Sequence, residues 1–554
     1  MDKTNGFPQL VETPAGTTIV YNDVYLYSTR DPRKRPCTII RQTEFLPQTL
    51  VFIPSIGLGY GISELLNTLP GQCHVLCMER DEKLMKLAKE CIPADFFQNR
   101  NLTVVRADTP SAAVSVLNKF PPGMFRRVVS LTLCAGFRMD KAFYNQAELY
   151  LREKIQAYWK NRMTLIHMGR LYTRNLVDNT TILPHTRDIS RLSLEKPVLV
   201  AGAGPSLEKS IGIIRAVRND IIIIAVDTAV PVLCASNLYP DFILALEGQF
   251  INILDFLADI PDSVSLIADI ASIPQAIRLF TSPGKHNTYL FSSAFHPLSI
   301  FPRMETAGML PSSIPPLGSV GVTAVYLALR LTCHKVLVTG LDFSYPFSKS
   351  YSAGAPIPLQ MLSGSRREYA VGQLEYSLLL SRPGYVTTDK AGKPLKSDMV
   401  LAAYAENVKT LAAESGRIIE ISPFGMDLGG MKCYEAASLK NIFSLNKRNT
   451  GQIKQNTRFG ATPESIISFI EKEQAMIGEA ADKIGSILKD TAAESGVLTE
   501  EENKIFLKTD YAWFHLPHKK QFPDYSTAFL TQALLHYRYF EKRFARAKAA
   551  LLRK

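Results

Sequence analysis

The chain has 554 residues, 46% hydrophobic and 21% charged, with a net charge of +12, and at ~100–200 residues per domain it is expected to form three or four domains. No apolar run approaches the ~18 residues of a membrane-spanning helix, and Met1 to Asn5 lack the apolar core of a signal peptide, so a cytoplasmic protein is expected, with membrane attachment unlikely. The basic balance suits an anionic partner, but neither an aromatic-basic RNA signature nor zinc-finger spacing is present; nucleic acid is therefore not expected, nor, without any Cys-x-x-Cys pair, a zinc site or disulfide framework.

Near the N-terminus, Thr18 to Tyr21 and Val24 to Tyr27 flank Asn22-Asp23, the pattern of a hairpin. Thr49 to Pro54 then reads as a strand, followed by a turn with Gly57, Gly59 and Gly61, a helix from Ile62 to Leu69 and a second strand, Val75 to Glu79. This βαβ unit anchors a Rossmann-like segment over residues 1–139. From Asp140 to about Pro184 large apolar residues recur at helical spacing without a proline, which predicts a helical bridge over 140–195.

Pro197 to Ala201 is a buried strand that runs into Gly202-Ala203-Gly204-Pro205-Ser206-Leu207 and a helix from Glu208 to Val217. Two glycines at a strand-to-helix turn let backbone amides approach an anion that the helix N-terminus favours, so Gly202, Gly204, Pro205 and Ser206 are expected to cradle a phosphate. Ile221 to Val226 is a second buried strand, ending in Asp227 and Thr228, placed to read a base or ribose. Tyr239-Pro240-Asp241 opens a third strand that ends at Glu247; Asp241 is expected to hold a turn and Glu247 to face the site. Pro316-Leu317-Gly318-Ser319 precedes a helix, Val322 to Leu331, and the strand Lys335 to Thr339 ends in Gly340-Leu341-Asp342. Tyr345 and Tyr351 follow in a segment too rich in Ser, Pro and Gly to be helical. The segment 438–554 is helical again, with Thr462-Pro463-Glu464 as one helix start, Thr499-x-x-Glu502 as a capping box, and a basic amphipathic stretch from Phe529 that meets a membrane or an acidic partner or, more commonly for such helices, packs on its own domain.

The string Gly202 to Leu207, with the Pro-Asp strand, the Gly318-Ser319 turn and the Gly-x-Asp at Gly340 to Asp342, resembles family 42 sialyltransferases, archaeal MptE-like hydroxymethylpterin diphosphokinases and flagellin glycosyltransferases of the motility-associated factor (Maf) type. Arg170, Asn175 and Asn179 are similar to the Arg and paired-Asn helix that precedes the Maf transferase domain, and the flanking segments favour Maf among the three. The resemblance implies an α/β fold: a Rossmann-like transferase domain over 196–437, a smaller Rossmann-like N-terminal domain and a helical C-terminal domain. Gly57 to Gly61 with Glu79 also resembles the cofactor loop of S-adenosylmethionine methyltransferases, where Glu79 would bind ribose. Ser55 stands where an acid usually precedes such a loop, and a structural Rossmann-like domain is the reading retained.

The activity implied is inverting transfer of a nonulosonic, sialic-acid-like sugar from a CMP-activated donor to Ser or Thr of flagellin. A monophosphate leaving group calls for no metal or other cofactor. In that reading Gly318, Ser319 and Asp342 contact the nucleotide, Tyr345 and Tyr351 are the lid tyrosines on the departing phosphate, and the base is a carboxylate. The sialyltransferase histidine has no counterpart between Thr387 and Asp398, leaving Asp398, Asp389 and Glu247 as candidates. An ATP-dependent pterin diphosphokinase and a non-catalytic flagellin-binding scaffold are the alternatives.

Overall fold

The structure, a computed structural model, describes residues 6–120, 124–281, 287–293, 298–381, 384–445, 459–489, 500–516 and 526–553. Two compact units divide the chain, residues 1–164 and 165–554. The division falls inside the segment read as a bridge, and Thr499 of the expected capping box lies outside the described residues.

In the first unit, a three-stranded antiparallel ribbon spans Gln9–Thr13, Gly16–Tyr21 and Val24–Tyr25, with Asn22 and Asp23 both at positive φ as a tight two-residue hairpin turn requires. The strands β1 (Thr49–Pro54), β2 (His74–Glu79), β3 (Leu102–Arg106) and β4 (Arg127–Ser130) form a parallel sheet in the order β3-β2-β1-β4. Helix α1 (Ile62–Thr68) follows the glycine turn.

That turn is closed by the protein itself. Gly57 sits at φ +52°, and a Cβ there would lie 2.3 Å from the Tyr27 hydroxyl, which accepts a bond from Leu58 N. Glu79 is buried and fully engaged: Oε2 accepts from Ser55 Oγ and Ile56 N, and Oε1 from Asp81 N and Tyr144 Oη. This fits the structural reading of the loop: the acceptors of Glu79 tie β2 to the turn after β1.

Helix α2 (Lys141–Thr180) begins in the first unit and ends in the second. In the second unit the strands are β5 (Arg187–Asp188), β6 (Val198–Ala201), β7 (Ile222–Val226), β8 (Phe242–Ala245), β9 (Ser265–Asp269), β10 (Thr288–Ser293), β11 (Ser313–Ile314), β12 (Val336–Thr339), β13 (Gly384–Thr388), β14 (Pro394–Asp398), β15 (Ile418–Glu420) and β16 (Met431–Lys432). Strands β13 and β14 form a separate antiparallel hairpin. The others build one parallel sheet in the order β11-β10-β9-β8-β7-β6-β12-β15-β16, with β5 also on β10. Unbroken apolar strands such as Ile222 to Val226 suit a parallel sheet covered on both faces.

The helices that matter below are α3 (Ser206–Val217), α4 (Pro274–Leu279), α5 (Ile300–Thr306), α6 (Val320–Leu331), α7 (Met399–Ser415), α8 (Pro463–Lys489), α9 (Glu500–Lys508) and α10 (Thr527–Leu552). A single hydrophobic core runs from Leu176 through the sheet to Phe540 and Phe544 of α10, so the basic stretch at the end of the chain packs its apolar side on its own unit. No helix among the described residues is long and apolar enough to cross a membrane.

Candidate functional site at the carboxyl edge of the central sheet

The chain leaves β6 toward β7 on one side and returns beside β6 as β12 on the other, a reversal that opens a crevice at the carboxyl ends of the strands. Nearly every motif found in the sequence lies along this edge. Their side chains, however, are committed differently from the expectation.

Across the crevice the turn after β6 is sewn to the end of β12. Gly202 N donates to Thr339 O, Gly204 N to Gly340 O, and Gly340 N to Ser206 Oγ, at 2.8 to 3.0 Å. Ser206 N donates to Asp342 Oδ2 at 2.9 Å, and Leu207 N to Gly204 O. The glycines are required by this close approach rather than by a left-handed turn: a Cβ on Gly202 would lie 2.4 Å from Gly340 O, and one on Gly204 equally near Asp342 Oδ2.

The phosphate cradle expected at Gly202, Gly204, Pro205 and Ser206 is therefore corrected. Pro205 has no N–H, the other three amides are spent, and the carboxylate of Asp342 already occupies the N-terminus of α3, where an anion would sit. Asp342 is likewise a helix cap rather than an open ligand. Burial pushes its pKa up, against the Ser206 bonds and the charge of Lys390.

Lys390, at the turn of the β13–β14 hairpin, was not singled out from the sequence. Its Nζ meets Glu420 Oε2 at 2.8 Å and Ser422 O at 2.9 Å, with the Lys390 side chain 6% exposed and that of Glu420 fully buried. In place of the absent histidine, the stretch Thr387 to Asp398 thus brings a buried cation to the carboxyl end of β15. A Lys after Asp389 in a hairpin turn reads from sequence as a solvated charge, and only the partner in β15 reveals otherwise.

Two proposed catalytic groups do come together. Tyr345 Oη donates to Asp398 Oδ2 at 2.6 Å, and Asp398 Oδ1 accepts from Val400 N and Leu401 N as the N-cap of α7. Both residues are buried. Asp398, expected as a base, is thus the cap of α7, and Tyr345, expected as a lid hydroxyl, is bonded to it. Asp389 is held in its own turn by Ala391 N and Lys393 N. Tyr351 is half-buried against the core.

On the other side of the crevice the groups are less committed. Ser319 is the extended N-cap residue of α6; its hydroxyl makes no capping bond, and Gly318 before it takes φ +78° under the ring of Tyr404. At the end of β7, Asp227 Oδ1 accepts from Thr228 N. Asp227 Oδ2, on a side chain 2% exposed, has no hydrogen-bond partner among the described residues. Burial, then the nearby Asp255 and Glu247, drive the Asp227 pKa well above the carboxylate range. Glu247 is half-buried and is also shifted up by burial.

Asp255 completes this acidic pocket and was missed in the sequence, where it is the lone acid of the apolar run Phe250 to Phe256. An acid kept inside such a run was the available signal. Asp241, by contrast, is structural as expected, though its carboxylate accepts from Arg218 Nη2 and Ile223 N, ahead of and within β7, and not from its own turn. Behind the pocket Asn175 Nδ2 donates to Gly248 O and Ala271 O, and Asn179 Nδ2 to Ile270 O and Ser272 O, fastening the loops after β8 and β9 to α2. A cavity of about 730 Å³, lined by Pro231, Tyr239, Leu254, Leu257, Pro356 and Leu359 among others, gives this side an apolar groove.

Burial, and secondarily Glu247, raise the Asp255 pKa to about 6 from 3.8, against the bond from Asn252. The folded state then holds the proton more tightly than the unfolded chain, so the ionisation penalty is absent below pH 3.8 and fully present above about pH 6. Asp255→Asn is expected to stabilise the protein by about 1–2 kcal/mol at pH 8, with the gain vanishing toward pH 4. Urea unfolding at the two pH values measures it, and an equal effect at both would remove the assigned cause.

Comparison with known proteins agrees with this architecture. The family model described as 6-hydroxymethylpterin diphosphokinase MptE-like matches residues 171–347. Among solved structures, a Maf glycosyltransferase from Magnetospirillum magneticum AMB-1 has a TM-score of 0.55 at 15% identity, with 99% of this chain and 90% of that one covered. An uncharacterized protein of Treponema pallidum (strain Nichols) is 30% identical over 427 residues, 76% of this chain and 73% of the relative. A second uncharacterized protein of that organism is 32% identical over 126 residues, 22% of this chain and 60% of its own length. The architecture is thus Maf-type, an α/β fold built around an MptE-like domain. Within it, the chain belongs to the same family as the larger Treponema pallidum protein.

Proposed function

We propose that this chain is a cytoplasmic glycosyltransferase that moves a nonulosonic sugar from a CMP-activated donor to Ser or Thr of flagellin. The observation that carries the reading is the unpartnered Oδ2 of Asp227 at the carboxyl end of β7, where the ribose of a nucleotide lies in folds of this kind. A buried carboxyl oxygen without a partner is costly, and a hydrogen bond with a ribose hydroxyl removes that cost. Ser319 Oγ and the first amides of α6 then meet the donor phosphate, since the N-terminus of α3 is filled by Asp342.

Of the carboxylates named from sequence, Glu247 is the one left for the base, and its raised pKa moves it toward the range a general base uses. In the transfer the acceptor hydroxyl gives its proton to Glu247 as its oxygen bonds to the anomeric carbon. The bond from that carbon to the phosphate oxygen breaks, and CMP departs with the electron pair.

Titration calorimetry with CMP tests the nucleotide assignment. The wild-type chain is expected to bind, and Asp227→Ala to weaken binding by about 10- to 100-fold, the worth of one hydrogen bond to a charged group. The match to the MptE-like model favours a second reading, a pterin diphosphokinase using magnesium ATP. The likeness in fold to the Maf glycosyltransferase over 99% of this chain supports the transferase as the first reading. Binding of magnesium ATP with no heat from CMP would reverse that choice.

A further inference from the structure

Beside the acidic pocket the surface changes sign. Asp178, on the last turns of α2, is acted on electrostatically by Arg543, Arg278, Arg174 and Arg546, contributed by α10, α4 and α2. The nearest of these contacts is loose, Arg543 Nη1 to Asp178 Oδ2 at 3.5 Å, so one carboxylate faces four guanidinium groups; Arg174 and Arg543 also spend donors on Asn175 and Tyr539. Arg278 and Arg546 are exposed, while Arg174 and Arg543 are half-buried. Arg170 adds a fifth positive charge, stacked 4.4 Å from the Tyr539 ring.

This surface is joined directly to the proposed site. Arg174 donates to Asn175 Oδ1 through Nε and Nη2, and Asn175 Nδ2 holds Gly248 O, the residue after Glu247. A chain bound over the arginines therefore lies next to the loop that carries the proposed base.

The chemistry of the surface selects among anions. Guanidinium forks pair bidentately with carboxylates, which favours an acidic polypeptide. A lipid surface would call for a broad apolar face as well, yet Phe540, Phe544 and Leu551 of α10 are buried in the core, and the exposed Leu279, Leu535 and Leu552 are spread over two helices. Single-stranded nucleic acid would call for a free aromatic platform, yet the Tyr539 ring is already covered by Arg170 and by Arg543, whose centres lie 4.4 and 5.7 Å from it.

We propose that the arginine surface of Arg174, Arg278, Arg543 and Arg546 docks an acidic stretch of the acceptor polypeptide beside the Glu247 loop. The inference rests on the transferase reading in one respect, that the acceptor is a protein. Docking of this kind brings a hydroxyl-bearing neighbour of the acidic stretch to the carboxyl edge of the sheet.

Fluorescence anisotropy of a labelled oligo-glutamate peptide containing one serine, added to the full-length protein, tests it. Binding is expected at low salt, fading as salt rises, and Arg278→Glu with Arg546→Glu is expected to weaken it at least tenfold. Arg278→Lys with Arg546→Lys retains the charge and is expected to keep most of the affinity. Heat of CMP binding is expected to be unchanged in both variants, which shows that they are folded and that the nucleotide site is separate. Equal peptide affinity in wild type and the Glu variant overturns the proposal. So does capture by phosphatidylserine vesicles with no peptide binding. If the peptide behaves as expected but CMP gives no heat with wild type, the transferase reading falls while the acidic docking surface stands.

Discussion

Gly340→Ala is expected to cost more than about 4 kcal/mol of stability and to abolish nucleotide binding with it. Gly340 follows β12 at φ +66°, a left-handed conformation that costs an alanine roughly 1–2 kcal/mol on its own. The added Cβ would also stand 2.0 Å from Gly202 O and 2.6 Å from Gly202 C. Those are backbone atoms of the neighbouring turn, so no rotamer change relieves the overlap, and β6 and β12 must separate at the crevice they form. Gly212 is the control. It lies inside α3, where an added Cβ would meet nothing within 4 Å, and Gly212→Ala is expected to stabilise by about 0.5–1 kcal/mol. Chemical denaturation of the two variants reads both signs in one experiment, and a mild effect at Gly340 would contradict the packing described for the site.

Breaking the ion pair between α5 and α8 is expected to be nearly as severe. Glu473 is 1% exposed and receives Arg303 Nε at 2.6 Å, Arg303 Nη2 at 2.9 Å and the Tyr511 hydroxyl at 2.8 Å. Arg303→Met leaves a buried carboxylate with only the tyrosine, at an expected cost of about 3–5 kcal/mol. Arg303→Met combined with Glu473→Leu removes both charges and is expected to recover most of that loss, because the penalty belongs to the stranded charge rather than to the missing bond. A double variant as unstable as the single one would show that the pair contributes through attraction instead. The contact also links the C-terminal helices to the central sheet, since α5 connects β10 to β11 and α8 belongs to the helices that share their core.

What could be read from the residues follows a physical divide between local and distant causes. Strand β6, the turn after it and helix α3 were legible because their pattern is local: four apolar residues, two glycines, then helical spacing. The same holds for β7, β12 and α6. That Asp241 is structural was legible too, but its partners, Arg218 and Ile223, lie 23 and 18 residues back and were not. What fills the N-terminus of α3 was not. Asp342 stands 136 residues beyond Ser206, and nothing in either segment says that its carboxylate turns inward rather than toward a ligand.

Asp398 illustrates the same limit. From sequence it is an acid near the expected place of a missing histidine; in the structure it caps α7 and binds a tyrosine 53 residues away. Lys390 and Asp255 were passed over for the complementary reason, that a charge in a hairpin turn or a single acid among apolar residues acquires meaning only from its surroundings. The arginine surface draws on α2, α4 and α10, elements separated by hundreds of residues, and emerges only once the chain is folded.

These placements shift the weight of the proposed chemistry from the glycine turn to the opposite wall of the crevice, where Asp227, Glu247 and Ser319 retain groups to offer a ligand. The measurement that tests the transferase reading most directly is the intact mass of flagellin purified from cells with and without this gene. Flagellin from the deletion strain is expected to be lighter by whole nonulosonic-acid residues, and wild-type protein but not Glu247→Gln is expected to restore the mass. An unchanged flagellin mass on deletion would contradict the transferase reading.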